Sequence, residues 1–296
     1  MNYAKTTSIV LAMLMVLSAC QNNRSSKPTY VIAYSSAESG NGEIYLTDAA
    51  GLAKIKLTDH PENDGYPAWS PSGEQIALYA YHDNRTTWSI HTINADGSNR
   101  KRLTHTKGMW DSSPSWSADG KQIAFAREYP DEAGNWQEEI WIMNSDGSNQ
   151  RQVMLLEGGG PYFTPDNKLL FHSKTGQSEI CMANADGSDL TQLTSNKAED
   201  WHPELSPDGQ QIAFMSDRDG NHEIYIMNID GSDQRRITRN PARDSSPSWS
   251  ADGSKLIFAR EDASGNYHTY MVNKDGTMER KLIDNAGTPV WLKLKR

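Results

Sequence analysis

One short pattern is written six times along this 296-residue chain, and no other feature limits its fold as tightly. Each copy reads as a proline-led strand, a turn, an apolar strand, an I-Y-x-x-N strand, a D-G turn and a closing L-T. The leading proline recurs as Pro67, Pro114, Pro161, Pro203, Pro247 and Pro289, at intervals of 47, 47, 42, 44 and 42 residues. Gly51, Gly97, Gly147, Gly187, Gly231 and Gly276 keep the same beat, mostly within D-G. Two markers in step at forty-odd residues imply stacked small sheets, because a unit of that size cannot bury its apolar face alone. The architecture this predicts is a β-propeller.

The fourth copy shows how a blade is built. Residues 202–205 predict a first strand, Ser206-Pro207-Asp208-Gly209 a tight turn, 211–216 a buried second strand and 223–228 a third. Asp230-Gly231 is a strong hairpin signal, and 235–238 form a charged edge strand. The chain enters its fold through residues 30–35, which match the second strand of the pattern. It leaves through Thr288-Pro289-Val290-Trp291, which match the first. The expectation is an all-β, six-bladed propeller of four-stranded antiparallel blades over residues 30–296, closed by strands from both termini.

Ahead of the repeats lie Lys5, an apolar run over residues 9–17 and the sequence Leu17-Ser18-Ala19-Cys20, the make-up of a secretory leader. The run is about half as long as the ~20 residues a membrane-spanning helix needs. L-S-A-C is similar to the lipobox of bacterial lipoproteins. That resemblance implies a signal peptide over residues 1–19, cleavage before Cys20 and acylation of Cys20, palmitate included. Gln21, in place of aspartate, implies the outer membrane of a Gram-negative bacterium on its periplasmic side. Residues 20–29 read as a polar tether spanning up to roughly 30 Å when extended. Only Cys181 then remains; it replaces the tyrosine of the I-Y strand and reads as a packed core thiol.

The net charge of −9 argues against nucleic acid or anionic lipid as partners of the body, since both reward dense Lys and Arg. An acidic body held at a membrane by lipid, monomeric, is the expected picture.

P-x-W-S-P-D-G-K-x-I-A-F, followed by E-I-Y-x-M-N-x-D-G and L-T, resembles the WD40-like repeat of TolB-type propellers over residues 30–296. TolB belongs to the Tol-Pal envelope system and carries a further domain before its propeller. Only about ten residues lie here between Cys20 and the first strand, so the resemblance is to a stand-alone, lipidated relative. It implies a protein or peptide partner bound at the channel mouth, an envelope lipoprotein among the candidates, in envelope integrity or assembly. Similar repeats occur in oligogalacturonate lyases, so an enzyme acting on acidic oligosaccharides is the alternative.

Candidate site residues come from the loops that enter each first strand. Asp64, Asp111, Asp200 and Asp244 stand three positions before their prolines and suggest a partial carboxylate ring at the mouth. The same aspartates also suit hydrogen bonding to loop backbone in every blade. Departures from the pattern are more informative. Trp110 stands beside Asp111, and Trp201-His202 beside Asp200, and tryptophan flanked by polar groups is a common binding hot spot. Trp69, Trp116, Trp249 and Trp291, by contrast, hold the repeat's own packing position, with Phe163 and Leu205 in the other two copies. Gly158-Gly159-Gly160 reads as a short turn that leaves its side of the mouth open. For a lyase, His202, Lys107 and Arg243 are the candidate base and cations, without a multi-histidine metal set. No catalytic residue and no cofactor are expected; the Asp217-x-Asp219-x-Asn221 loop only partly resembles a calcium loop, and manganese enters only with the lyase alternative. His222-Glu223 opens like a zinc-protease motif, but a strand cannot present such ligands.

Overall fold

The computed structural model describes residues 29–174 and 176–294, which form strands and turns with no helix. The leader, Cys20 and the tether through residue 28 lie outside the described residues. Six strands form the innermost layer: Asp64–Trp69, Trp110–Trp116, the second half of Arg151–Phe163, Asp200–Leu205, Asp244–Trp249 and Gly287–Trp291. Each touches the next, and the last returns to the first, so they close a ring around a channel. Numbered by these strands, blades 1 to 5 follow in chain order. Blade 6 combines Gly287–Trp291 with Ile32–Ser36, Glu43–Thr47 and Lys54–Lys56. The expected closure by both ends of the chain is therefore present, and it leaves no blade with an open seam.

Repeated polar contacts explain why the pattern is spelled as it is. In the D-G turns, Asp96, Asp146, Asp186, Asp230 and Asp275 each accept a hydroxyl bond of 2.6 Å from the Ser or Thr two residues on. The intervening glycines take φ of +83 to +91°, which side chains resist. At Gly231 a Cβ would also fall 2.4 Å from the Leu193 carbonyl of the preceding blade. The threonine of L-T accepts the backbone N–H of the third-strand isoleucine at 2.9 Å, as Thr58, Thr104, Thr194 and Thr238 do for Ile44, Ile90, Ile180 and Ile224. That bond anchors the short outer strand to the blade.

The core lies between blades. Ala213, Ile224, Ile226 and Ile237 of blade 4 pack against Trp249, Leu256, Phe258 and Val272 of blade 5. The tryptophans of the repeat stitch neighbours together: Trp116 Nε1 donates to the Ala68 carbonyl at 3.1 Å, and Trp249 Nε1 to that of Glu204 at 3.2 Å. Trp116, Trp249, Phe163 and Leu205 are buried, while Trp69 and Trp291 are half-buried and line the channel. Cys181 is packed in the core between blades 2 and 3, and burial pushes its thiol up to about 11.

The leading prolines have a physical reason. Each inner strand turns its free edge to the channel, where a residue without an N–H leaves no donor unpaired. The residue before each proline, Tyr66, Ser113, Gly160, His202, Ser246 and Thr288, has φ between 41° and 56°. The pairing register slips at that point in every blade, which makes six bulges. A bulge re-aims the side chain it carries. Here it sets the residue before the proline against the channel.

Candidate functional site

Channel space divides into two cavities that share Tyr66, Ser113, Gly160 and His202. On the turn side lies a cavity of about 730 Å³, lined by all six leading prolines. Lys293, just past the last strand, reaches into this cavity. Its Nζ donates to Glu204 Oε1 at 2.5 Å and to Tyr162 Oη at 3.3 Å. Glu204 Oε1 also accepts the Trp249 N–H at 2.7 Å, so this carboxylate joins neighbouring blades.

The aspartates do not form a free carboxylate ring at the mouth. Asp64, Asp111, Asp200 and Asp244 are each at most 2% exposed, and each is clamped by an arginine. Arg127 donates to both Asp111 oxygens at 2.7 and 2.9 Å, and Arg260 does the same for Asp244 at 2.7 and 2.9 Å. Arg100 binds Asp64 at 2.6 and 2.7 Å, and Arg218 binds Asp200 at 2.9 and 3.1 Å. Three of the guanidinium groups stack on aromatics: Arg127 on Trp141, Arg218 on Tyr225 and Arg260 on Tyr270, at 4.2 to 4.7 Å. Burying a carboxylate requires such a partner, and the repeat supplies one blade after blade. These four residues hold the blade together and position the loops; the backbone bonding that the sequence also allowed is replaced by side-chain pairing.

The irregular residues behave differently. Trp110 stacks on Trp88 at 4.8 Å with 7° between the rings, and against Trp136 at 4.4 Å. Trp88 stacks in turn on Tyr79 and Tyr81 at 5.0 and 4.9 Å. The result is an aromatic ladder that crosses from blade 1 to blade 2 and is open to solvent along part of its length, with Trp136 45% exposed. Trp201, also half-buried, meets His222 edge-on at 5.0 Å in blade 4. Trp110 and Trp201 thus belong to different clusters.

His202 faces the second cavity, of about 260 Å³, on the mouth side. Tyr66, Tyr79, Trp88, Glu128, Glu138 and His172 line it as well. Burial lowers His202 to about 3, so the ring is neutral at physiological pH, and its Nδ1 has no hydrogen-bond partner. His172 places Nε2 3.6 Å from Glu138 Oε1, while its own Nδ1 is also without a partner. Burial and the Glu138 charge together push Glu128 up to about 7. Despite its burial, Glu138 sits below the usual carboxylate range because His172 faces it.

Gly158-Gly159-Gly160 is not a turn. The three glycines lie inside the long strand Arg151–Phe163, which serves as the last strand of blade 2 and the first of blade 3. A Cβ on Gly159 would sit 1.8 Å from Glu138 Oε1, and one on Gly160 would sit 3.0 Å from His172 Nδ1. Missing side chains here make room for charged groups from neighbouring strands.

Glu128, Glu138, His172, Trp88 and Trp136 escaped the sequence reading because they lie on second and third strands, away from the first-strand loops. One signal pointed to most of them. The two 47-residue intervals reflect second and third strands of eight and nine residues in blades 1 and 2, against five or six in blades 3, 4 and 6. Those extensions carry the ladder and both glutamates above one side of the mouth.

Of the remaining candidates, Lys107 is exposed, and Arg243 is hydrogen-bonded to His222 Nδ1 at 3.0 Å and reaches to 3.8 Å from Glu261. Asp217 accepts the Glu199 N–H, while Asp219 is held by Tyr225 and Arg236. Among the described residues, no group of three or more His, Cys, Asp or Glu side chains is arranged to hold a metal ion.

These features define a closed β-propeller whose mouth is lopsided. The TolB beta propeller domain matches residues 17–159 and 154–289, and the chain belongs to that family. An uncharacterized protein of Agrobacterium fabrum is 28% identical over 173 residues, covering 56% of this chain and 53% of that protein. The Tol-Pal system protein TolB of Francisella tularensis subsp. mediasiatica is 28% identical over 184 residues, covering 59% of this chain and 40% of that protein. The chain thus spans about half the length of the curated relatives it matches. The crystal structure of TolB from Acinetobacter baumannii superimposes with a TM-score of 0.77 at 22% identity, over 89% of this chain and 67% of that one.

Proposed function

We propose that this chain is a binding propeller of the bacterial cell envelope, taking a protein or peptide partner at the mouth of its channel. The observation that carries the reading is the part-exposed aromatic ladder of Trp88, Trp110 and Trp136 standing beside a polar cavity. Aromatic side chains offer large contact area with few rotors to freeze, and such clusters supply most of the energy of interfaces. Trp201 and His202 extend the surface across the channel, whereas the four aspartates support it from beneath. Membership of the TolB family makes the periplasm and the upkeep of the envelope the natural setting. In this reading, acylated Cys20 holds the propeller at the outer membrane and the tether lets the mouth meet its partner.

An acidic oligosaccharide suits the mouth less well, because Glu128 and Glu138 face the cavity and repel uronate carboxylates. The experiment is capture from envelope extracts with the intact chain and with Trp110→Ala/Trp201→Ala. Loss of a specific partner supports the site, and undiminished recovery removes it. Cys20→Ser is expected to move the chain from the membrane to the soluble fraction, and a variant that stays at the membrane refutes the lipid anchor.

A further inference from the structure

The cavity beside the ladder contains an arrangement that folding alone does not favour. Glu128 and Glu138 are direct cross-strand partners in blade 2, and both line the same 260 Å³ space. Like charges placed opposite each other destabilise a strand pair. Among the described residues Glu128 has neither an ion pair nor a hydrogen bond to its carboxylate, and Glu138 has only His172 at 3.6 Å and Lys174 at 3.9 Å.

The other walls add unpartnered ring nitrogens and aromatic surface. His172 is 8% exposed, with Nε2 facing Glu138 and Nδ1, which has no hydrogen-bond partner, turned toward Gly160. His202 Nδ1 is also unpaired. Tyr79 and Trp88 supply aromatic surface, and the glycines of Arg151–Phe163 keep the space open. A cavity walled by two carboxylates, unpaired ring nitrogens and aromatic rings matches a group that only donates hydrogen bonds and carries positive charge. Its volume suits a single side chain and falls short of a typical small-molecule pocket of ~300–1,000 Å³.

We propose that this cavity is a subsite for an organic cation, the ammonium or guanidinium group of a lysine or arginine side chain on the bound peptide. The inference rests on the reading of the mouth as a peptide-binding surface and names the chemistry that its deepest part selects. In the bound state the cation lies between the two carboxylates and against Trp88, and one of its N–H groups meets an unpaired histidine nitrogen. The groups facing Glu128 from the surrounding elements are Glu138, Lys174, His172, His202, Tyr66 and Tyr79. The cation displaces the proton of Glu128, so binding strengthens between pH 6 and pH 8.

The test is an NMR titration of the full chain, following the imidazole signals of His172 and His202. The probes are the N-acetyl amides of arginine, lysine and glutamine, with spermidine and Ca²⁺ as further arms. The expected result is saturable shifts with the arginine or lysine amide, none with the glutamine amide, and at least tenfold weaker binding in Glu128→Gln. That variant removes a repulsion, so its folding is not at risk, and its melting temperature is measured alongside. Equal response to the glutamine amide, unchanged binding in Glu128→Gln, or response to spermidine or Ca²⁺ alone overturns the proposal. Partner capture separates the two readings. Capture that depends on Trp110 and Trp201, with silent cation titrations, removes the subsite and keeps the binding surface; absent capture with positive titrations does the reverse.

Discussion

Arg127 and Glu128 are neighbours on one strand of blade 2, and alternation sends their side chains to opposite faces. Arg127 has Asp111 at 2.7 Å and the Trp141 ring at 4.2 Å, and the pair is sealed from solvent. Glu128 faces Glu138 with no cation of its own. One position is electrostatically complete and the next is not. The complete one recurs as Asp64–Arg100, Asp200–Arg218 and Asp244–Arg260, whereas among the described residues facing glutamates occur in blade 2 alone. Repetition marks what the ring needs to stand, and its lapse marks where something else is accommodated.

The largest expected effect comes from breaking the complete position. Asp111→Ala strands a buried guanidinium and is expected to cost about 3–5 kcal/mol, read from the urea unfolding midpoint. Asp111→Leu combined with Arg127→Met removes both charges and is expected to cost much less. Equal losses in the two variants would show that the strut acts through packing alone.

Next in size is the ladder. Trp110→Ala with Trp201→Ala is expected to weaken partner binding by roughly 30-fold or more, the consequence of losing a hot spot of about 2 kcal/mol. Surface plasmon resonance with the captured partner reads this. A comparable loss in Trp69→Ala, on the turn side, would move the binding surface to the other end of the channel.

A smaller effect of opposite sign is expected at the incomplete position. Glu128 titrates near 7 in the fold and near 4.5 when unfolded, so the unfolded chain releases its proton first as pH rises. Stability is therefore lost between about 4.5 and 7 and stays low above that range. Glu128→Gln removes this cost and is expected to be more stable than the native chain at pH 8 by about 1–2 kcal/mol, after allowance for partial exposure. That corresponds to a melting temperature raised by ~2–4 °C per kcal/mol, shrinking toward zero near pH 4.5. A variant less stable at pH 8 would mean that Glu128 has a stabilising partner. The smallest effect is expected on the outer surface, where Lys121→Ala breaks an exposed pair with Asp119 and leaves the melting temperature unchanged.

The blades were legible because a repeat states the same local rules six times. Pro67 to Pro289 and Gly51 to Gly276 lie where backbone geometry admits few other residues, so their spacing transfers directly to strands and turns. The packing tryptophans followed from the same register, although Trp69 and Trp291 border the channel as well as the core. The site was less legible. Asp64, Asp111, Asp200 and Asp244 were visible as a series, but their arginines stand at 100, 127, 218 and 260, offsets of 36, 16, 18 and 16 residues that no single spacing rule links. Gly158 to Gly160 looked like a turn because three glycines lack a strand's side chains. Only the approach of Glu138 and His172 explains why a strand carries none there.

By itself the sequence determined the unit, its number and the way the ring closes, since each follows from short-range backbone preferences repeated in register. Tertiary structure decided which carboxylates are spent inside blades and which remain open to the channel. That choice depends on distances between residues far apart in the chain, such as Glu138 to His172 and Lys293 to Glu204. Charge is cancelled or left exposed in space, and local sequence carries no record of which partner will arrive.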